Sequence, residues 1–274
     1  MKNPFQQPKV SPSAYEAIRR FVYDEAGIDL GECKQQLVFS RLNKRLRYHE
    51  LTDFDVYAKR IIEDRDGSER RIVIDLMTTN ETYFFREPSH LDHLQSTVLP
   101  AHPQGRPFRA WSAACSSGEE AYSIAMILED YFSRRLQWDV FGSDISRSMI
   151  EKARSAIYPM ARISAIPSDY LRRYCIEGKG EHDGFLLIEN NIRDRVRFQE
   201  VNLIRPLPTT GDPFDVIFLR NVLIYFDPET RGKIVRKLVD RLKQGGTLYL
   251  GHSETIKGMD LPLELIAPTT YRKT

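Results

Sequence analysis

A chain of 274 residues with three cysteines and a formal charge of +2 is long enough to bury a core without disulfides or metals, and its near balance of charge argues against a generally basic nucleic-acid binder. Cys33, Cys115 and Cys175 are widely spaced and include no C-x-x-C pair, so neither a zinc knuckle nor a disulfide framework is readable. Residues 1–12 carry no apolar core behind Lys2, and no run approaches the roughly 18 apolar residues of a membrane span. A cytoplasmic chain without direct membrane insertion is the expectation.

Helical periodicity runs from residue 13 to about 77. Ser13 and Glu16 have capping-box spacing and Gly27 reads as a stop. A second helix fits 34–48, where Phe39, Leu42 and Leu46 share a stripe, and a third and fourth follow Thr52 and Gly67. This predicts a small all-helical N-terminal domain over residues 1–78. The polar-then-aromatic segment from Thr78 to Arg86 suits a linker, about 79–90, packed against a larger body rather than a free tether. After a Pro- and Gly-containing loop at 101–107, strand and helix patterns alternate: strand 108–114, helix 119–131, strand 138–143 and a helix through 149–156. Such alternation predicts a parallel, doubly wound sheet. The nearly all-apolar run 214–219 suits a central parallel strand. Asp227-Pro228 opens a helix that Gly245-Gly246 is read to stop, and 247–251 returns as a strand. Between about 158 and 195 the alternation breaks. A short helix near 169–174, a glycine-punctuated stretch at 177–184 and the apolar Phe185-Leu186-Leu187-Ile188 predict a small antiparallel β insert. The second domain is therefore placed at 79–274, an α/β unit carrying that insert.

In a doubly wound sheet the ligand lies beyond the carboxyl ends of the strands, so the loops after each strand are where chemistry is sought. The loop Ala113-Ala114-Cys115-Ser116-Ser117-Gly118-Glu119-Glu120 lacks the G-x-G-x-x-G of a dinucleotide site. Its helix opens with two carboxylates that would repel a pyrophosphate and attract an ammonium, such as that of a methionine moiety. Ser117-x-x-Glu120 is also a capping box, and both roles stay open. Asp144, at the tip of the second strand, suits a carboxylate for a ribose diol and equally a helix N-cap. The amide of Asn202, beside Leu203, could meet an adenine edge. Polar Arg220 and Asn221 directly follow the apolar strand ending in Leu219, a functional edge rather than simple exposure.

Four stretches carry a resemblance: Thr78-Thr79-Asn80-Glu81-Thr82-Tyr83-Phe84-Phe85-Arg86-Glu87, the run from Trp111 to Glu120, Arg220-Asn221-Val222-Leu223-Ile224-Tyr225-Phe226, and Gly251-His252-Ser253-Glu254. In this order, over roughly residues 13 to 271, they resemble the signature segments of the CheR-type chemotaxis receptor methyltransferases. The resemblance implies a Rossmann-like, doubly wound S-adenosylmethionine-dependent methyltransferase domain, a small helical N-terminal domain that recognises the receptor, and an inserted antiparallel β-subdomain. It implies transfer of a methyl group to glutamate side chains of chemotaxis receptors, with S-adenosylhomocysteine as the other product. Cofactor contacts are implied for Asn80, Thr82, Arg86, Glu120, Asp144, Asn202, Leu203, Leu219 and Arg220. A glutamate carboxylate is ionised at neutral pH and needs no general base or metal; Arg86 is suited to hold it and Tyr225 to donate a hydrogen bond or pack beside the transferring methyl, although Tyr225 also reads as a half-buried aromatic.

Lys34, Arg41, Lys44 and Arg45 fall within one arc of the second helix, and no acid interrupts 33–49. A solvated face is the usual explanation, but a one-sign arc also suits glutamate-rich receptor helices. In some family members the β-subdomain docks a receptor C-terminal peptide by strand addition, and the insert here has a loop of similar length; a hairpin that only covers the sheet is the other reading. Competing functions are a methyltransferase acting on a small carboxylate or another protein, a cofactor sensor without turnover, and a nucleic-acid binder, the last disfavoured by acids flanking the basic helix and the lack of a DNA-reading motif.

Overall fold

The computed structural model describes residues 8–133 and 136–274; part of the N-terminal stretch read above, residues 1–7, lies outside them. Contacts divide the described residues into two compact units, one drawn from those up to 79 with 225–227 and the other from those of 80–224 with 228–274.

The first unit holds helices α1 (Pro12–Ala26), α2 (Gln35–Tyr48), α3 (Phe54–Glu63) and α4 (Ser68–Met77). The first cap differs from expectation. Pro12, with its fixed φ, takes the first helical turn, so the cap falls on Ser11, whose side chain accepts from Ala14 N at 3.0 Å. Ser13 donates instead to Asp55 at 2.5 Å, and Glu16 pairs with Arg19. Gly27 ends α1 in the left-handed region at φ 73°, as its position implies. On α2 the inward stripe is Val38, Leu42 and Leu46, all fully buried, with Phe39 at its margin.

The second unit is built on a seven-stranded sheet of order β6-β2-β1-β7-β8-β10-β9. Its strands are β1 (Phe108–Ala113), β2 (Trp138–Asp144), β6 (Val196–Glu200), β7 (Phe214–Leu219), β8 (Leu242–Leu250), β9 (Leu263–Ala267) and β10 (Thr270–Lys273). The first five are parallel, while β10 runs antiparallel to both β8 and β9. Every residue of β1 is buried, because helices cover both faces of a central parallel strand. Trp111 on β1 packs between Phe141 and Phe214 and donates its indole N–H to Ser143 Oγ at 2.8 Å.

Helices α5 (Pro88–His93), α6 (Glu119–Phe132), α7 (Arg147–Ser155), α8 (Ser168–Tyr174), α9 (Asn190–Arg193) and α10 (Pro228–Val239) connect and flank the strands. The glycine pair does not stop α10, which ends at Val239. Phe214 pairs with Leu242 and Val216 with Thr247, so β8 must take up extra residues at that point. Gly245, at φ 75°, provides the bulge. The insert is a separate three-stranded antiparallel sheet of order β3-β5-β4, with β3 (Ile157–Pro159), β4 (Cys175–Glu177) and β5 (Phe185–Ile188).

Candidate active site

The strand order reverses between β1 and β7, for the chain winds outward from β1 through β2 to β6 on one side and from β7 to β8 on the other. The loops after β1 and β7 therefore part there and open a crevice. In the β1 loop, Ala114, Ser116 and Gly118 adopt left-handed φ values of 70°, 49° and 96°. At Gly118 a Cβ would lie 2.8 Å from that of Ala153 and 3.0 Å from the Tyr158 hydroxyl, so only glycine fits this close packing of loop on helix. Gly118 is itself the cap of α6, without a side-chain bond. The capping-box reading of Ser117 and Glu120 is thereby replaced: Ser117 Oγ donates to Glu119 Oε2 at 2.7 Å, and Glu120 turns elsewhere.

Glu120 faces β7. It accepts from Ser112 Oγ at 2.7 Å and from Arg220 Nη1 at 3.0 Å. Arg220, its side chain 2% exposed, also donates to the Arg86 carbonyl and lies 3.1 Å from Glu87 Oε2. Asn221, at φ 58°, donates its amide to Glu87 Oε1 at 3.0 Å and its backbone N–H to the buried Glu254 at 2.9 Å. Glu254 also receives the N–H groups of Leu223 and Gly251, both at 2.7 Å. One guanidinium thus faces two carboxylates. Burial raises the pKa of Glu120 against the opposing pull of Arg220 and Ser112. Burial also works to raise that of Glu87, but Asn221 and Arg220 outweigh it and hold that carboxyl below its usual range. Glu254 is raised by burial, its backbone donors notwithstanding.

Asp144 ends β2, and its carboxylate joins the β1 loop to α7 by accepting from Ser116 N at 2.8 Å and Ser146 N at 2.9 Å. Ser146, which accepts from Met149 N, is the cap of α7; the N-cap alternative for Asp144 is superseded. Ser116 Oγ donates to the carbonyl of Asn80 at 3.0 Å, and Val201 N to the carbonyl of Asp144 at 2.8 Å. Asn80, Asp144 and the residues entering Asn202 are so linked. The Asn202 Oδ1 accepts from Ile204 N at 3.1 Å, Leu203 is buried, and its carbonyl receives Lys237. The Thr82 carbonyl accepts from Arg162, which pairs with Glu119 at 3.3 Å. Phe84 is fully buried against Tyr158, and Phe85 N donates to Ser123 Oγ on α6, so the linker segment lies along the core. Arg86 is partly exposed, its guanidinium 5.7 Å over the Tyr83 ring and donating to Glu81 O. Leu219, fully buried, sets Arg220 at the strand end.

Spacing alone did not single out Glu87 and Glu254, whereas Glu119 is one of the two carboxylates read at the start of α6. Glu119 is fully buried, its Oε1 without a hydrogen-bond partner, and burial raises its pKa. The signal available for the other two was an acid ending each of the stretches Thr78–Glu87 and Gly251–Glu254. A wide groove of about 1220 Å³ is lined by Arg109, Arg154, Arg193, Arg197 and Phe198, along β6 and the loop before β7, and by none of Asn80, Thr82, Arg86, Glu120, Asp144, Asn202, Leu203, Leu219 and Arg220.

In the helical unit the basic arc divides. Lys34 and Lys44 are exposed. Arg41 donates to the carbonyls of Leu76 and Thr78 and to Thr79 Oγ1, and Arg45 pairs with Glu69, which also accepts from Tyr57 at 2.6 Å and meets His49 Nε2 at 2.9 Å. Tyr225 belongs to this unit, its carbonyl accepting from Asp29 N at 2.8 Å.

Residues 80–272 match the CheR methyltransferase, SAM binding domain, and residues 13–78 the CheR methyltransferase, all-alpha domain. The chain is 37% identical over 97% of its length to the chemotaxis protein methyltransferase of Salmonella typhimurium strain LT2, and 38% identical over 96% to that of Escherichia coli K12; these matches span 92% and 91% of the relatives. Chemotaxis protein methyltransferase 2 of Pseudomonas aeruginosa is 34% identical over 94% of this chain and 91% of its own. Among the described residues no helix is long and apolar enough to cross a membrane. With both of its units matched in order and nearly end to end, the chain belongs to the CheR family of S-adenosylmethionine-dependent chemotaxis methyltransferases.

Proposed function

We propose that the protein methylates glutamate side chains on the cytoplasmic domain of methyl-accepting chemotaxis receptors, acting in the cytoplasm, with residues 1–78 as the receptor-recognition domain and 79–274 as the catalytic domain. The observation that carries the reading is the Arg220 cluster at the switch point, which holds the linker segment to the loops after β1 and β7. When bound, S-adenosylmethionine supplies a sulfonium methyl that passes to an acceptor carboxylate, leaving a methyl ester and S-adenosylhomocysteine. The residues present suit that molecule. Two carboxylates against one guanidinium leave a negative excess for an ammonium, and Asp144, at the end of β2, is the carboxylate for a ribose diol.

Binding contacts are assigned to Asn80, Thr82, Arg86, Glu120, Asp144, Asn202, Leu203, Leu219 and Arg220. Arg86 orients the acceptor carboxylate by a charge-assisted bond and Tyr225 borders the transferring group. No proton has to be removed from an ionised acceptor, so catalysis is alignment, which can supply several kcal/mol of the barrier reduction. Lys34 and Lys44, with Arg41 and Arg45 beside them, form the receptor-facing arc, and the β3-β5-β4 sheet is the docking place for a receptor C-terminal peptide. Labelled methyl transfer to receptor-containing membranes, followed by alkali, tests the reaction. Base-labile label released as methanol from the receptor band is expected; alkali-stable label, or none despite cofactor binding, would overturn it.

A further inference from the structure

Beside the Arg220 cluster, Glu87, His90 and His252 bring one carboxylate oxygen and two imidazole nitrogens within 4.8 Å of one another. Glu87 Oε2 is 3.5 Å from His90 Nδ1 and 3.8 Å from His252 Nε2. His90 is 2% exposed, and its Nδ1 is buried without a hydrogen-bond partner. Buried polar groups are rarely left unmet. The far nitrogen of the same ring, Nε2, lies 2.8 Å from Thr269 Oγ1. Donation from Nε2 to that hydroxyl leaves a lone pair on Nδ1, aimed at the carboxylate, and fixes the ring as outer partners fix metal-bound imidazoles. Asn221 holds the other oxygen of Glu87, and Ser89 Oγ lies 3.2 Å from His252 Nε2.

We propose that Glu87, His90 and His252 form a binding site for a zinc-class divalent transition metal, with the remaining coordination position open to water. Two imidazoles and a carboxylate are a donor set for this class of ion, whereas magnesium and calcium prefer oxygen. The His252 side chain is 53% exposed and provides the route of entry. Arg220 is the local competitor, since it reaches the same Glu87 oxygen at 3.1 Å. Its guanidinium keeps Glu120 and the Arg86 carbonyl when that oxygen turns to a metal.

The full chain in a Cys33→Ser background tests this, because Cys33 is exposed and its thiol would bind zinc by itself. Zinc is titrated in competition with a chromophoric chelator, and cobalt is followed by its visible absorption. One zinc per chain with a Kd below roughly 10 μM is expected, together with the intense cobalt bands of a four-coordinate site. His252→Ala, a surface change whose folding is checked by its unfolding curve, should weaken zinc binding at least ten-fold. Absence of stoichiometric zinc binding, or a His252→Ala protein that binds as tightly as its parent, would overturn the proposal.

Discussion

Arg220, at the end of β7, stands 3.0 Å from Glu120 of α6, and this ion pair bridges the two halves of the sheet where the strand order reverses. Arg220→Met would leave Glu87 and Glu120 facing each other with their shared cation gone. Removing one partner of a buried pair costs about 3–5 kcal/mol, so the urea midpoint should fall markedly. Glu120→Gln keeps the shape and should lose less stability, while weakening S-adenosylhomocysteine binding in calorimetry.

Gly118→Ala combines a left-handed φ of 96° with a Cβ 2.8 Å from that of Ala153. Strain and overpacking together should cost roughly 2–4 kcal/mol. Gly105 shares the positive φ, at 78°, but has nothing within 4 Å of a built Cβ; Gly105→Ala should cost only about 1 kcal/mol. Thermal unfolding of the two variants separates backbone strain from the close approach that shapes the β1 loop.

Burial would push the Glu69 carboxyl upward, but bonds from Arg45, Tyr57 and His49 prevail and bring it to about 2. A depressed carboxylate contributes stability that is present above the ordinary value of 4.5 and lost as pH falls towards 2. Acid unfolding should therefore steepen in that window. Glu69→Gln should flatten this part of the stability curve, removing roughly 2 kcal/mol at pH 7 once solvent screening is allowed for.

The receptor arc is best tested at its exposed members. Lys34→Glu with Lys44→Glu should raise the KM for receptor several-fold and leave both unfolding and cofactor affinity unchanged. Arg45→Glu would set a second acid beside Glu69 and unfold the helical unit, so a loss of methylation in that variant says nothing about recognition. An unchanged KM in the lysine double variant would remove the arc from the receptor surface.

Arg86→Ala should lower kcat/KM for receptor about 100-fold through loss of a charge-assisted contact, and Tyr225→Phe should act chiefly on kcat. Single-turnover methylation measured at saturating cofactor checks both. Full activity in both variants, with cofactor affinity preserved, would withdraw the assigned roles.

The strand at 214–219 was legible because burial on both faces writes a nearly uninterrupted apolar run, and Gly27 because a left-handed helix end admits little else; β6, β9 and β10 were not read, for exposed residues interrupt any such run in them. Gly245 and Gly246 misled for a related reason: the same residues serve a helix stop and a strand bulge, and only the pairing of Phe214 with Leu242 distinguishes them. Pro12 moved the first cap to Ser11 because a proline inside the first turn outranks a capping-box spacing beginning at Ser13. At the site, Arg220, Glu120 and Asp144 follow from the rule that ligands meet strand ends, whereas Glu87 and Glu254 enter only as members of the resembling stretches. Their meaning rests on partners 133 and 33 positions away, Arg220 and Asn221. Helical spacing placed Arg41 and Arg45 on the same face as Lys34 and Lys44. It could not say that two of the four would be engaged by carbonyls and by Glu69.

The position of β10, between β8 and β9, bears on how the protein is made. Thr270 pairs with Tyr249, and Lys273 donates to the carbonyls of Val239 and Leu242. A ribosome therefore releases the residues of α1 to α4 long before the strand that completes the sheet, and until Lys273 clears the exit tunnel one side of β8 stays unpaired. Nascent chains should pass through an interval in which that edge is exposed to other chains, and chaperone dependence should track the lifetime of this last gap rather than the folding of the helices.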